Sequence, residues 1–127
     1  MDYLRKQGDE VNIKSYVRNL LMDSTIINLT ADKIVYFLHA QNPTPPYIEY
    51  EFVDENGAFY EEGEEIETNY SLQVDVFTKG TSSTEIEEAV KVKLKENGFI
   101  RQSLANLHED TTDLDHTAIW FLGTLGD

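Results

Sequence analysis

The chain has 127 residues and a formal net charge of −14, because 24 acidic residues outnumber 10 basic ones. A surface with this charge repels the phosphates of nucleic acids and of anionic lipids, which argues against a DNA-gripping module and against a peripheral membrane protein. The chain has no cysteine, which excludes disulfide scaffolds, thiol nucleophiles and cysteine zinc sites.

The length and the hydrophobic content of 40% predict one folded domain over residues 1–127, with residues 1–10 flexible. A helix is predicted over residues 11–23, where apolar side chains recur at helical spacing. Asn12 or Asp9 would cap its N-terminus. The chain contains no apolar run of the ~20 residues that a membrane-spanning helix needs, and its N-terminal residues do not have the pattern of a secretion signal.

Three strands are predicted in the middle of the chain. The first covers residues 34–40, which are rich in β-branched and aromatic residues, and the prolines of residues 43–46 then force a stiff connector or a tight turn. The second and third strands cover residues 47–53 and 70–77, where apolar and polar side chains alternate, so that one face of each strand points inward. Residues 58–65, between them, are predicted to form an acidic loop.

The clearest predicted element is a second helix that begins at Thr84. Thr84 and Glu87 have the spacing of a capping box, and Asn97-Gly98 is a typical helix end. The helix presents an apolar stripe to the core, formed by Ile86, Val90 and Leu94.

Two further strands are predicted over residues 99–104 and 117–122, joined by a polar turn over residues 106–115. The resulting order of elements is α-β-β-β-α-β-β, which is typical of an α+β domain. We therefore expect a mostly antiparallel sheet with the two helices packed on one of its faces.

The acidic residues are concentrated in the middle of the chain. Residues 34–78 contain ten acidic residues and no lysine or arginine. This segment is either a solvated region that supports solubility or a surface that repels a passing polyanion or meets a basic partner. The candidate residues of such a surface or docking loop are Glu55, Glu61, Glu62, Glu64, Glu65 and Glu67. Exposed aromatic side chains favour protein–protein contacts, and the candidates for contacts between subunits are Tyr47, Phe59 and Tyr60.

The chain contains no specific catalytic or metal-binding pattern. Residues 108–116 contain two histidines and four carboxylates, but their spacing matches no metal-site template, and we interpret them as a solvated turn. His39 is expected to be a half-buried histidine, and Asp75 is expected to face solvent or a neighbouring side chain. The chain has no phosphate-binding glycine loop and no nucleophile elbow. We therefore predict no catalytic residue, no cofactor and no metal site.

Several parts of the chain resemble small tail proteins of tailed bacteriophages and prophages. They are residues 36–51, with the prolines at 43–46, residues 69–80, the helix end at residues 95–99, and residues 113–120. The family that they resemble is the tail-completion or tail-terminator group of long-tailed, non-contractile phages of Gram-positive hosts. The resemblance covers residues 33–122.

The resemblance implies a structural virion protein rather than an enzyme. Such proteins are α+β subunits that form a hexameric ring at the head-proximal end of the tail tube, stop tube polymerisation and dock onto the head connector, and DNA later passes through the ring. The implied partners are other copies of the chain, the tail tube protein and the head connector protein, with no cofactor, no membrane and no specific DNA binding. The implied location is the virion tail, and the host bacterial cytoplasm during assembly. Because each copy carries −14, we expect the free protein to be a monomer at low ionic strength.

Two other functions fit the sequence. An acidic inhibitor that mimics DNA and blocks a nucleic-acid enzyme would also carry a large negative charge. A mimic, however, arrays its carboxylates along one face, whereas these are concentrated in one third of the chain. A neck or head-completion protein has a similar size and symmetry but attaches to the head side.

Overall fold

The computed structural model describes residues 12–126, which form three helices and a five-stranded sheet. The helices are α1 (Ile13–Leu21), α2 (Ser24–Ile27) and α3 (Thr84–Glu96). The strands are β1 (Val35–Phe37), β2 (Tyr47–Glu61), β3 (Glu64–Thr78), β4 (Phe99–Glu109) and β5 (Leu114–Gly126). The α+β class and the order of elements are confirmed, with the short α2 as an addition. The predicted flexibility of residues 1–10 lies outside the described residues.

The sheet is mostly antiparallel, and its strand order is β1-β2-β3-β5-β4. β1 pairs with β2 in parallel, and the three other pairs are antiparallel. The outer strands are therefore β1 and β4. Because β1 has only three residues, most of β2 also has a free edge.

The helices pack on one face of the sheet and enclose the main core. α1 contributes the buried residues Val17 and Leu21, and α3 contributes the predicted apolar stripe of Ile86, Val90 and Leu94. The inward direction predicted for the third strand is confirmed, because its alternate residues are completely buried in this core: Leu72, Val74 and Val76.

The start of the first helix is as predicted, but its end is not. Asn12 caps α1 by accepting a hydrogen bond from the backbone N–H of Lys14 at 2.8 Å. α1 then stops at Leu21, two residues before the predicted end. Asp23 begins the separate helix α2, where its carboxylate accepts from the backbone N–H of Thr25 at 3.0 Å.

The cap of α3 lies one residue before the predicted one. Ser83 is the N-cap residue, and its hydroxyl donates a hydrogen bond to the carboxylate of Glu87. The same carboxylate accepts from Thr117 Oγ1 of β5 at 3.3 Å. Glu87 therefore links the start of the helix to the sheet instead of completing a capping box.

The predicted end of α3 is confirmed, because Gly98 follows the helix with a φ of +94°, which favours glycine.

Three predicted boundaries are wrong. The predicted acidic loop at residues 58–65 is the paired end of the β2–β3 hairpin, and the predicted polar turn at residues 106–115 is reduced to residues 110–113. Both strand pairs extend beyond their apolar parts because ladder hydrogen bonds join backbone groups, whatever the side chains. The first predicted strand, at residues 34–40, is shortened to Val35–Phe37.

Candidate functional site

The β2–β3 hairpin extends beyond the rest of the sheet. β1 pairs with β2 only as far as Tyr50, and β5 ends at Gly126, opposite Glu67. Beyond these points β2 and β3 pair only with each other as far as the turn. We call residues 54–67 the acidic ribbon. At ~3.3 Å per residue its tip extends roughly 13 Å past the last residue paired with β5.

The acidic ribbon ends in a two-residue turn, Glu62-Gly63. Both residues have positive φ angles, 51° and 82°, as a type I′ turn requires. The twist of this turn matches that of paired strands, so pairing continues up to Glu61 and Glu64. The turn explains why a segment this polar forms a hairpin rather than an open loop.

The acidic ribbon contains seven carboxylates and no lysine or arginine. Glu67 is partly buried, and the other six are exposed: Asp54, Glu55, Glu61, Glu62, Glu64 and Glu65. The structure therefore brings all six predicted glutamates onto one ribbon and adds Asp54 to them.

Two of the three predicted aromatic contact residues lie on the same ribbon. Phe59 and Tyr60 are 50% and 59% exposed. The Tyr60 hydroxyl donates to Glu65 Oε1 at 3.4 Å, and its ring lies so close to Gly57 that a Cβ there would collide with it. Two large exposed aromatic side chains on one projecting arm are typical of a surface that contacts another protein.

Tyr47, the third residue predicted to contact another subunit, is not exposed as Phe59 and Tyr60 are. Tyr47 is buried, and it lies on the sheet face opposite the helices. Its ring stacks on Phe77 at a centroid distance of 4.6 Å and meets Tyr36 edge-on at 6.4 Å. Ala40 packs into the same small cluster, so the segment after β1 covers Tyr47. Alternation alone would place Tyr47 on an open face of the sheet.

Part of the acidic charge has a structural role at the free edge of β2. An unpaired edge exposes backbone groups that can pair with another chain. Three register shifts interrupt this edge, between Phe52 and Asp54, between Gly57 and Phe59, and between Phe59 and Tyr60. These irregularities and the exposed carboxylates of Asp54 and Glu55 oppose edge-to-edge aggregation.

The sheet face opposite the helices carries a hydrogen-bonded network, which we call the polar cluster. His116 Nε2 lies 2.7 Å from Asp75 Oδ1, and Gln73 Nε2 donates to the same oxygen at 2.9 Å. Gln73 Oε1 accepts from Trp120 Nε1 at 2.9 Å. Glu49 lies beside Asp75 in the β2–β3 register and completes the polar cluster.

The polar cluster favours protonated groups. The hydrogen bond with Asp75 raises the pKa of His116 above its ordinary value, although burial opposes this shift. Burial raises the pKa of Glu49, although the backbone N–H of Ala40, 2.9 Å from Glu49 Oε2, opposes this shift. The contact with Asp75 therefore stabilises the protonated form of the His116 imidazole.

The hydrogen bonds of the polar cluster join β3 to β5, and Glu49 of β2 is paired with the backbone N–H of Ala40. Among residues 12–126, no buried side-chain nitrogen or oxygen lacks a hydrogen-bond partner. A satisfied network of this kind makes the sheet rigid and specifies strand register. Alternation along β3 does place Gln73 and Asp75 opposite the core, and the expectation that Asp75 faces a neighbour is confirmed. The partner of Asp75 in β5, His116, carried no comparable signal in the sequence.

The two remaining histidines lie on the surface. The expectation of a half-buried His39 is wrong, because its side chain is 81% exposed, with Nδ1 3.4 Å from Glu49 Oε2. His108 Nδ1 lies 3.0 Å from Asp115, and this hydrogen bond raises the pKa of His108. Its Nε2 lies 3.3 Å from Asp113. In the described part of the chain, no group of three or more histidine or acidic side chains is arranged to hold a metal ion.

No helix within residues 12–126 combines the length and the apolar character needed to cross a bilayer. No protein-family model matches the chain, and no curated protein matches it.

Proposed function

We propose that the protein is a structural subunit of a bacteriophage tail. Six copies form a ring at the head-proximal end of the tail tube, where the ring ends tube growth and joins the tail to the head connector. The observation that carries this proposal is the acidic ribbon, an arm that extends beyond the core of its own chain and exposes Phe59 and Tyr60. An arm of this kind buries its aromatic side chains by contact with a second molecule.

The charge of the chain supports the passage of DNA through such a ring. Duplex DNA carries one negative charge per ~1.7 Å of its axis. A ring whose subunits each carry −14 repels that charge and does not hold the DNA in place. We therefore expect DNA to pass without specific binding.

Deletion of the gene from the phage or prophage that encodes the chain tests the proposal. Negative-stain electron microscopy is expected to show overlong tails and filled heads without tails, because tube growth is not terminated and the joining surface is missing. Normal virions would overturn the proposal. Antibody labelling of tails from particles that lack heads distinguishes a tail ring from a head-side neck protein.

Complementation of the deletion tests the role of the acidic ribbon. The double variant Phe59→Ser/Tyr60→Ser is expected to fold with an unchanged Tm, because both side chains are exposed, but not to restore tail length. Leu107→Ser is the matched control, because Leu107 is 52% exposed on β4, away from the ribbon. If both variants restore normal tails, the ribbon is not the contact surface.

A further inference from the structure

A groove of about 730 Å³ lies beside the C-terminal end of α3 and the first residues of β4. Phe99 and Phe121 line it and are buried, whereas Val92 and Ile100 line it and are 55% and 67% exposed. The volume is within the range of pockets that enclose a small ligand. The groove therefore has room for apolar side chains from a second molecule.

Cationic side chains outnumber carboxylates by three to two among the residues that line this groove. Of the eight lysine and arginine residues in residues 12–126, four lie within residues 91–101. Two carboxylates also line the groove, Glu88 and Glu96, and Glu88 pairs with one of the cations at 3.2 Å. The cations that line the groove are Lys91, Lys95 and Arg101.

The acidic ribbon has the complementary properties. It combines two exposed aromatic side chains with seven carboxylates and no cation, whereas the groove combines exposed apolar side chains with three cations and two carboxylates. Within one chain the two surfaces do not cover each other, because Phe59 and Tyr60 on the ribbon and Val92 and Ile100 at the groove all remain about half exposed or more.

We propose that the tip of the acidic ribbon of one copy docks into the groove of a second copy. Phe59 and Tyr60 contact the apolar side chains of the groove, and the glutamates beside the turn approach Lys95 and Arg101. The contact joins two different surfaces, so each subunit offers its ribbon to one neighbour and its groove to the other. A head-to-tail contact of this type forms a ring when its rotation closes. This inference rests on the proposed ring, and it names the partner of the ribbon as another copy of the same chain.

Disulfide cross-linking tests the docking, because the chain has no cysteine of its own. Purified Tyr60→Cys protein is mixed with Ile100→Cys protein under mild oxidation at about 0.15 M salt, where repulsion between the copies is screened, and cross-linked dimers are measured on non-reducing gels. Mixing two single variants ensures that every mixed dimer joins a ribbon to another copy's groove.

Leu107→Cys is the matched acceptor, because Leu107 is similarly exposed on the same strand but lies at its other end. Docking predicts that the Ile100→Cys mixture cross-links about tenfold faster, because docking raises the effective concentration of the two thiols. Equal rates would overturn it.

Charge reversal separates docking from general repulsion. Glu61→Lys/Glu64→Lys and the control Glu85→Lys/Asp110→Lys each reduce the net charge from −14 to −10. If repulsion alone governs association, both pairs raise the cross-linking rate equally. Docking predicts that the ribbon pair lowers the rate of the Tyr60→Cys/Ile100→Cys reaction several-fold, while the control pair does not lower it. An equal rise in both would overturn the docking.

The docking and the tail function fail in different ways. Overlong tails on gene deletion, together with equal cross-linking at Ile100→Cys and Leu107→Cys, would refute the docking and leave the tail function supported. Fast cross-linking at Ile100→Cys, together with normal virions on deletion, would refute the tail function and leave self-association through the ribbon supported.

Discussion

Phe99 of β4 lies directly opposite Gly123 of β5, and its ring occupies the space that a side chain at position 123 would need. A Cβ on Gly123 would lie 2.5 Å from two ring atoms of Phe99. Phe99 is buried in the core and also lines the groove beside α3. The missing side chain at position 123 therefore allows the first residue of β4 to close the core beneath that groove.

Gly123→Ala is expected to lower the free energy of unfolding by about 1–3 kcal/mol, the usual cost of overpacking a core. The ring of Phe99 is packed in the core, so moving it away from the new methyl group costs stability. Gly57→Ala is the control, because the atoms in its way belong to the side chains of Tyr60 and Glu65, which are both exposed and can rotate into solvent. Urea denaturation measures both variants, and an equal loss in the two would contradict the explanation.

The His116–Asp75 pair is expected to make stability depend on pH. The pKa of His116 is raised in the folded state, so the stabilisation is fully present below its ordinary value of about 6.5 and is lost as the pH rises through the folded-state pKa. His116→Gln should lower the free energy of unfolding by about 1–3 kcal/mol at low pH, because a hydrogen bond to a charged group is lost. The variant should then differ less from the natural chain as the pH rises.

Urea denaturation at several pH values measures this difference. His108→Gln is the control, because His108 also pairs with an aspartate but is exposed to solvent, which screens the interaction. If the two substitutions change the pH dependence equally, the buried pair is not its source.

The fluorescence of Trp120 should report the protonation of His116. Trp120 is the single tryptophan of the chain, and it is connected to Asp75 through Gln73. We expect the emission of the folded protein to change as His116 titrates, and Gln73→Ala to abolish this change because the connection is removed. Gln102→Ala, at an exposed position of β4, should leave the change intact. A pH-dependent emission that survives in Gln73→Ala would show that the network does not transmit the titration.

The buried face of α3 should determine how strongly the helix is held on the sheet. Leu94→Ala is expected to lower the free energy of unfolding by about 2–5 kcal/mol, because Leu94 is completely buried and its truncation leaves a cavity. Val92→Ala, on the exposed side of the same helix, should change stability by no more than about 0.5 kcal/mol. Thermal and urea denaturation compare the two, and similar losses would mean that α3 does not carry the core.

Much of the candidate surface could be predicted, but its form could not. The concentration of glutamates and the presence of Phe59 and Tyr60 among them are properties of the sequence. Their arrangement on a paired ribbon depends on the Glu62-Gly63 turn and on strand pairing beyond the apolar residues. A polar composition predicts a loop. Composition carries no information about the register in which two strands pair, so it does not reveal the hairpin.

The sequence by itself determined the α+β class, the order of elements and the inward faces of the strands and of α3, because caps and apolar periodicity act between residues close in the chain. Only the tertiary structure decided that Tyr47 is buried, that the ribbon projects and that His116 meets Asp75, 41 residues away. These features depend on which strands become neighbours and in what register. Contacts between distant residues set that choice, and local patterns do not encode it.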